Sequence, residues 1–168
     1  MLLFETRIGT CGVSWSDVGI TGVALPGQRG LSGPALEAST AVPDGVRTAI
    51  AGMATLLDGE RPDLRSVELD ERGLDEFRRR VYAATREIGP GATATYGEVA
   101  RAIGEPGAAR AVGAALAQNP FPIIVPCHRV LAATGALHGF SAPGGIGTKR
   151  RMLEIERAPG FTQEALFA

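Results

Sequence analysis

Thr95-Tyr96-Gly97-Glu98-Val99-Ala100-Arg101-Ala102-Ile103, then Gly104-Glu105-Pro106-Gly107, then Ala108-Ala109-Arg110-Ala111-Val112-Gly113-Ala114-Ala115-Leu116-Ala117: this stretch decides the fold. Thr95 followed three residues later by Glu98 is a capping box, in which each side chain satisfies the other residue's orphan amide. A helix starts there, with Val99, Ala100 and Ile103 inward. Gly104–Gly107 is a turn, and a second helix over 108–117 turns Val112 and Leu116 inward. Helix, four-residue turn, helix is the helix-turn-helix pattern. The second helix carries one long side chain, Arg110, among methyl groups and glycine. A major-groove reader offers Gln, Asn, Arg and Ser to base edges. So thin a surface suits the narrower minor groove or close packing on another helix.

Upstream, Asp75 precedes Phe77, Val81, Ala84 and Ile88, an amphipathic helix closed by Gly89-Pro90-Gly91. Residues 2–25 hold three runs of alternating, β-branched character with Gly between them, which predicts three short antiparallel strands. Residues 26–43 are rich in Pro, Gly and Ser and read as a loop. Asp44 caps a helix whose apolar stripe is Val46, Ile50, Met53 and Leu57, ended by Gly59-Glu60-Arg61-Pro62. Val67-Glu68-Leu69 reads as one more strand. The expected organisation is α/β: an N-terminal scaffold of residues 1–70 with an antiparallel sheet, and a mainly helical unit of residues 72–168.

With 45% hydrophobic and 21% charged residues, the chain of 168 is globular. No apolar run approaches the roughly 20 residues that span a bilayer, and the first residues lack a signal peptide's pattern. Two cysteines, Cys11 and Cys127, exclude a disulfide framework; a reducing cytoplasm is the expected compartment. The net charge of −1 hides an asymmetry. Residues 1–70 hold 5 Arg against 9 acids, whereas residues 71–157 hold 12 Lys+Arg against 8 acids. The second unit therefore meets an anion or simply carries a solvated helix surface.

Asn119-Pro120-Phe121-Pro122-Ile123-Ile124-Val125-Pro126-Cys127-His128-Arg129-Val130 holds the chemistry. Three prolines fix the backbone that presents Cys127. A base or cation beside a thiol favours the thiolate, which is the nucleophile. Thiol and imidazole adjacent in sequence need not touch, so a bridging water fits between them. On a helix over 148–157, Met152, Leu153 and Glu156 share a face. Glu156 thus lies on an apolar stripe and needs a partner. His128 is one candidate, giving a Cys–His–Glu relay; Arg150 or Arg157 is the other.

Pro126-Cys127-His128-Arg129-Val130, the Ala108–Gly113 helix, Asn119-Pro120 and Thr95–Glu98, in this order and spacing, resemble the O6-alkylguanine-DNA alkyltransferase family. The likeness is dense over residues 75–157 and looser over 1–25. It implies an N-terminal α/β domain and a winged-helix-like C-terminal domain. It also implies roles. Cys127 accepts the alkyl group, and His128 draws its proton through a water, oriented by Glu156. Tyr96 donates to the flipped base. Arg110 fills the gap in the stack. Tyr96, Gly97, Ala109, Arg110 and Arg129 meet DNA. Asn119 braces the turns, and Asn119, Val130, Phe140 and Ser141 surround the substrate. The implied partner is double-stranded DNA holding an O6-alkylguanine, possibly an O4-alkylthymine, met from the minor-groove side. The implied protein is a monomer with no cofactor, no metal and no membrane contact, turning over once. Two departures stand out. Gly139-Phe140-Ser141-Ala142-Pro143-Gly144-Gly145 replaces the family's shorter Gly-Tyr loop, which bears on bulky alkyl groups, and Glu105 brings an acid to the recognition turn.

Three rivals make different demands. A non-catalytic lesion-binding relative lacks the acceptor cysteine, which is present here. A Cys–His hydrolase or redox enzyme has no use for the helix-turn-helix. A zinc module has only Cys11, Cys127, His128 and His138 as soft ligands, and none pair at ligand spacing.

Overall fold

The computed structural model of the protein describes residues 1–137, 140 and 142–162. Strands β1 (Leu2–Thr6), β2 (Gly9–Trp15) and β3 (Ile20–Ala24) form an antiparallel sheet in that order. Phe4 pairs with Cys11, and Val13 lies between Leu2 and Val23. These residues form the inward face and are all buried. Helix α1 (Asp44–Leu57) covers that face with Val46, Ile50, Met53 and Leu57, the expected stripe. Pro43 rather than Asp44 holds the capping position, and Asp44 is the first helical residue with no side-chain cap bond. Its charge still suits the helix N-terminus. The loop 26–43 contains one short 3-10 turn, Leu36–Ala38. Val67–Leu69 is not a strand. It contributes a single bridge, Ile20 to Leu69, with the Ile20 amide donating to Glu68 O at 2.9 Å.

Helix α2 (Glu76–Arg86) begins at Asp75, whose carboxylate accepts from the Arg78 amide. Strand β4 (Ala94–Thr95) runs into α3 (Tyr96–Ala102) through the capping box, whose two reciprocal bonds are both present. Helix α4 (Ala109–Ala117) buries Val112, Ala115 and Leu116. Tyr82 of α2 is buried and donates its hydroxyl to Ala115 O at 2.7 Å. Its ring meets Phe121 edge-on, with centroids 6.4 Å apart. α2, α4 and the cysteine loop are thereby locked in one packing unit. Strand β5 (Val130–Leu131) pairs in parallel with β4, and α5 (Gly145–Ile155) closes the described chain after Gly144 at φ +81°. One cluster of buried apolar side chains runs from Leu2 and Phe4 of the sheet to Met152 of α5, across the expected domain boundary. Among the described residues no helix is long and apolar enough to cross a membrane.

Candidate active site

A short 3-10 turn, Cys127–Arg129, delivers the cysteine between the loop 119–126 and β5. That loop holds itself in shape. Asn119 donates from Nδ2 to Val125 O and accepts from the Phe121 amide, both at 2.9 Å. Val125 N reaches Phe121 O at 2.8 Å. Ile123 takes φ 75°, the left-handed region that a β-branched residue rarely enters. Its side chain is buried at 1% exposure, so packing holds the backbone there.

His128 and Glu156 are both buried, and Nε2 lies 2.7 Å from Oε1. Glu156 is neither at the boundary nor paired to Arg150 or Arg157. Its second partner is Arg129, whose Nε and Nη2 donate to the two carboxylate oxygens at 2.9 and 2.8 Å, while Nη1 donates to Ile88 O. Burial alone raises a carboxyl's pKa; here the His128 ring and the Arg129 guanidinium outweigh it and hold Glu156 down to about 2. The carboxylate can only accept, so the neutral imidazole donates from Nε2 and leaves its lone pair on Nδ1. Nδ1 is buried and has no hydrogen-bond partner among the described residues. Burial pushes the imidazole below its ordinary pKa. Glu156 pulls it up, but the cations of Arg129 and Lys149 push it down again. The resting ring is therefore a neutral base.

Arg129 was expected at the DNA surface. Instead it is 5% exposed, with its donors spent inside the protein, so its role is to hold Glu156. Val130 is corrected likewise. It does not line the cavity at Cys127; it is buried in β5, and its carbonyl accepts from Lys149 Nζ at 2.7 Å. Ser141 and His138 lie outside the described residues.

Cys127 opens on a cavity of about 550 Å³ that Tyr96, Asn119, Phe140 and Lys149 also line. Burial pushes the thiol up, while the Asn119 side chain and the Lys149 charge pull it back toward the thiolate. Tyr96 is half-buried, and burial, followed by the Cys127 charge, keeps its hydroxyl protonated. Lys149, 1% exposed, sits with Nζ 5.9 Å from the ring centres of both Tyr96 and Phe140. Sequence reasoning missed it, because Lys149-Arg150-Arg151 reads as a solvated run. Spacing carried the signal: Lys149 precedes Met152, Leu153 and Glu156 by three, four and seven residues, one helical face. The second omission is larger. Val23, Leu25, Gln28 and Arg29 of the N-terminal segment line the same cavity, so that segment is more than a scaffold.

Beside the cavity, α4 turns Arg110, Ala111 and Ala114 to solvent, while Gly97 and Ala109 are half-buried. Gly113 lines the cavity at the foot of Tyr96. Glu105 is not a free charge on the recognition turn: Arg80 Nη1 reaches its Oε2 at 3.2 Å. Among the described residues no group of three His, Cys, Asp or Glu is arranged to hold a metal ion.

The family of the 6-O-methylguanine DNA methyltransferase DNA-binding domain matches residues 76–158. A Mycobacterium bovis protein named methylated-DNA–protein-cysteine methyltransferase is 52% identical over 101 residues, 60% of this chain and 59% of that one. The match thus spans less than two thirds of that relative. A protein of the same name from Methanothermobacter thermautotrophicus is 36% identical over 145 residues, 86% of this chain and 78% of its own. The crystal structure of Mycobacterium tuberculosis OGT in complex with DNA superposes with TM-score 0.72 and 36% identity, covering 99% of this chain and 98% of that one.

Proposed function

The chain belongs to the 6-O-methylguanine DNA methyltransferase family, and on that premise we propose that it removes the alkyl group from O6-alkylguanine in duplex DNA by moving it onto Cys127. The observation that carries the reading is the polarised series Arg129–Glu156–His128, which frees a base nitrogen on the residue that follows a cysteine opening on a cavity. His128 Nδ1 takes the thiol proton through one water. Sγ attacks the alkyl carbon, the S–C bond forms as the C–O6 bond breaks, and guanine leaves with the electron pair. The Tyr96 hydroxyl and the Lys149 cation offset the negative charge on the departing base. The thioether is stable, so each molecule reacts once and needs no cofactor.

A base inside a duplex cannot reach Cys127, so the guanine must swing out, at a cost of a few kcal/mol that is smaller for a weakened lesion pair. Helix α4 lies against the minor groove, where its alanines permit close approach, and Arg110 enters the stack in the base's place. Residues 72–168 carry DNA and chemistry, residues 1–70 support them and add a wall to the cavity, and a monomer in the cytoplasm suffices.

The test is a stoichiometric reaction with a duplex holding one O6-methylguanine, followed by peptide mass mapping. One methyl group on the Cys127 peptide, and none in Cys127→Ser, is the expected result. Lesion binding without transfer would favour the non-catalytic alternative. Methyl on Cys11, or several turnovers per molecule, would sink the mechanism.

A further inference from the structure

The cavity at Cys127 has a second wall, built by a chain segment far from it in sequence. After β3 the backbone turns through Leu25-Pro26-Gly27-Gln28, with Gln28 N donating to Leu25 O at 3.2 Å and Gly27 at φ +81°. Proline second and a left-handed glycine third are what a type II turn demands. The turn is braced on three sides. Gln28 Oε1 accepts from the Leu25 amide at 3.3 Å. Val23 N of β3 donates to Pro120 O of the cysteine loop at 2.9 Å. A methyl group placed on Gly27 would sit 3.4 Å from Pro143 Cβ, so the turn rests on the loop before α5. Leu25 is fully buried beneath it.

We propose that this turn determines specificity: Gln28, held by the turn at the cavity that Cys127 opens on, limits the length of the O6-alkyl group that can be transferred. The inference rests on the alkyl-acceptor reading above. On the C-terminal side, Cys127, Tyr96, Asn119 and Lys149 are each tied to the chemistry or to the loop that presents it. Gln28 is tied to neither, so its size can change without moving the reacting atoms. The cavity, at about 550 Å³, lies within the roughly 300–1,000 Å³ range of pockets that enclose drug-sized molecules. Groups longer than methyl therefore have room to extend from the base, and the N-terminal wall sets where that room ends. Chemistry at the sulfur stays the same for each: one S–C bond forms and one C–O bond breaks.

The experiment measures rate constants for alkylation of Cys127 in the full chain, using one duplex sequence that holds either O6-methylguanine or O6-butylguanine. Shortening the wall with Gln28→Ala should raise the butyl-to-methyl ratio about tenfold, and lengthening it with Gln28→Trp should lower the ratio by a similar factor, the scale on which one pocket contact discriminates. Thermal unfolding of both variants confirms that each is folded. A ratio that stays within about twofold of the parent in both overturns the proposal while leaving the acceptor reading intact. If the parent protein transfers neither group to Cys127, the acceptor reading fails and the specificity wall fails with it.

Discussion

Asp63 and Glu156 share an acid constant and little else. Both carboxyls are held down to about 2. The side chain of Asp63 is 60% exposed and that of its partner Arg65 is 58% exposed, with the two 3.0 Å apart and Glu87 nearby. That of Glu156 is 3% exposed and is gripped by His128 and Arg129. A depressed carboxyl constant therefore does not mark a site; the surroundings do. Water and salt replace a lost partner at the surface. In the interior, loss of one member strands the charge of the others. That makes the buried cluster costly to break; the cluster also keeps His128 aimed, while burial keeps the ring neutral.

The comparison breaks first, and hardest, at Glu156. Glu156→Ala should lower unfolding free energy by about 3–5 kcal/mol in a urea titration, because it leaves Arg129 buried without a counterion. A loss no greater than that of a surface variant would show the cluster to be solvated. Acid sharpens the same contrast. Glu156 has a folded constant below its ordinary 4.5, so its ionised form contributes stability above that value. The contribution is lost as pH falls from 4.5 toward about 2. Glu156→Gln should remove this acid-sensitive part of the stability curve, and added salt should leave it in place in the parent. At the next level, Lys149→Met removes a cation that favours the thiolate. The pH–rate profile for alkyl transfer should move alkaline; an unmoved profile would confine Lys149 to packing. Smallest of all, Arg65→Ala should leave the urea midpoint unchanged at physiological salt.

The helix-turn-helix was legible because its capping box and glycine turn are local, and the structure bears out α3, α4 and their inward faces. The His128–Glu156 contact was legible because a carboxylate on an apolar helical stripe demands a partner. Arg129 was placed at DNA by the family resemblance, and only tertiary structure reveals that its donors face inward. Lys149 was hidden by two neighbouring arginines. The N-terminal wall left no signal at all in the sequence, since it depends on β3 docking on Pro120 and on the turn resting against Pro143. Local patterns report what a residue does to its own helix or turn; they say nothing about which distant segment it meets.

Ile123 carries a consequence for anyone who would transplant the nucleophile. Its backbone sits in a conformation the isolated chain would abandon, and only the surrounding fold keeps it there. A synthetic peptide spelling Asn119 to Val130 should therefore behave as an ordinary thiol, slow and indiscriminate. The reactivity belongs to the posture of that loop, and the posture is imposed from outside it.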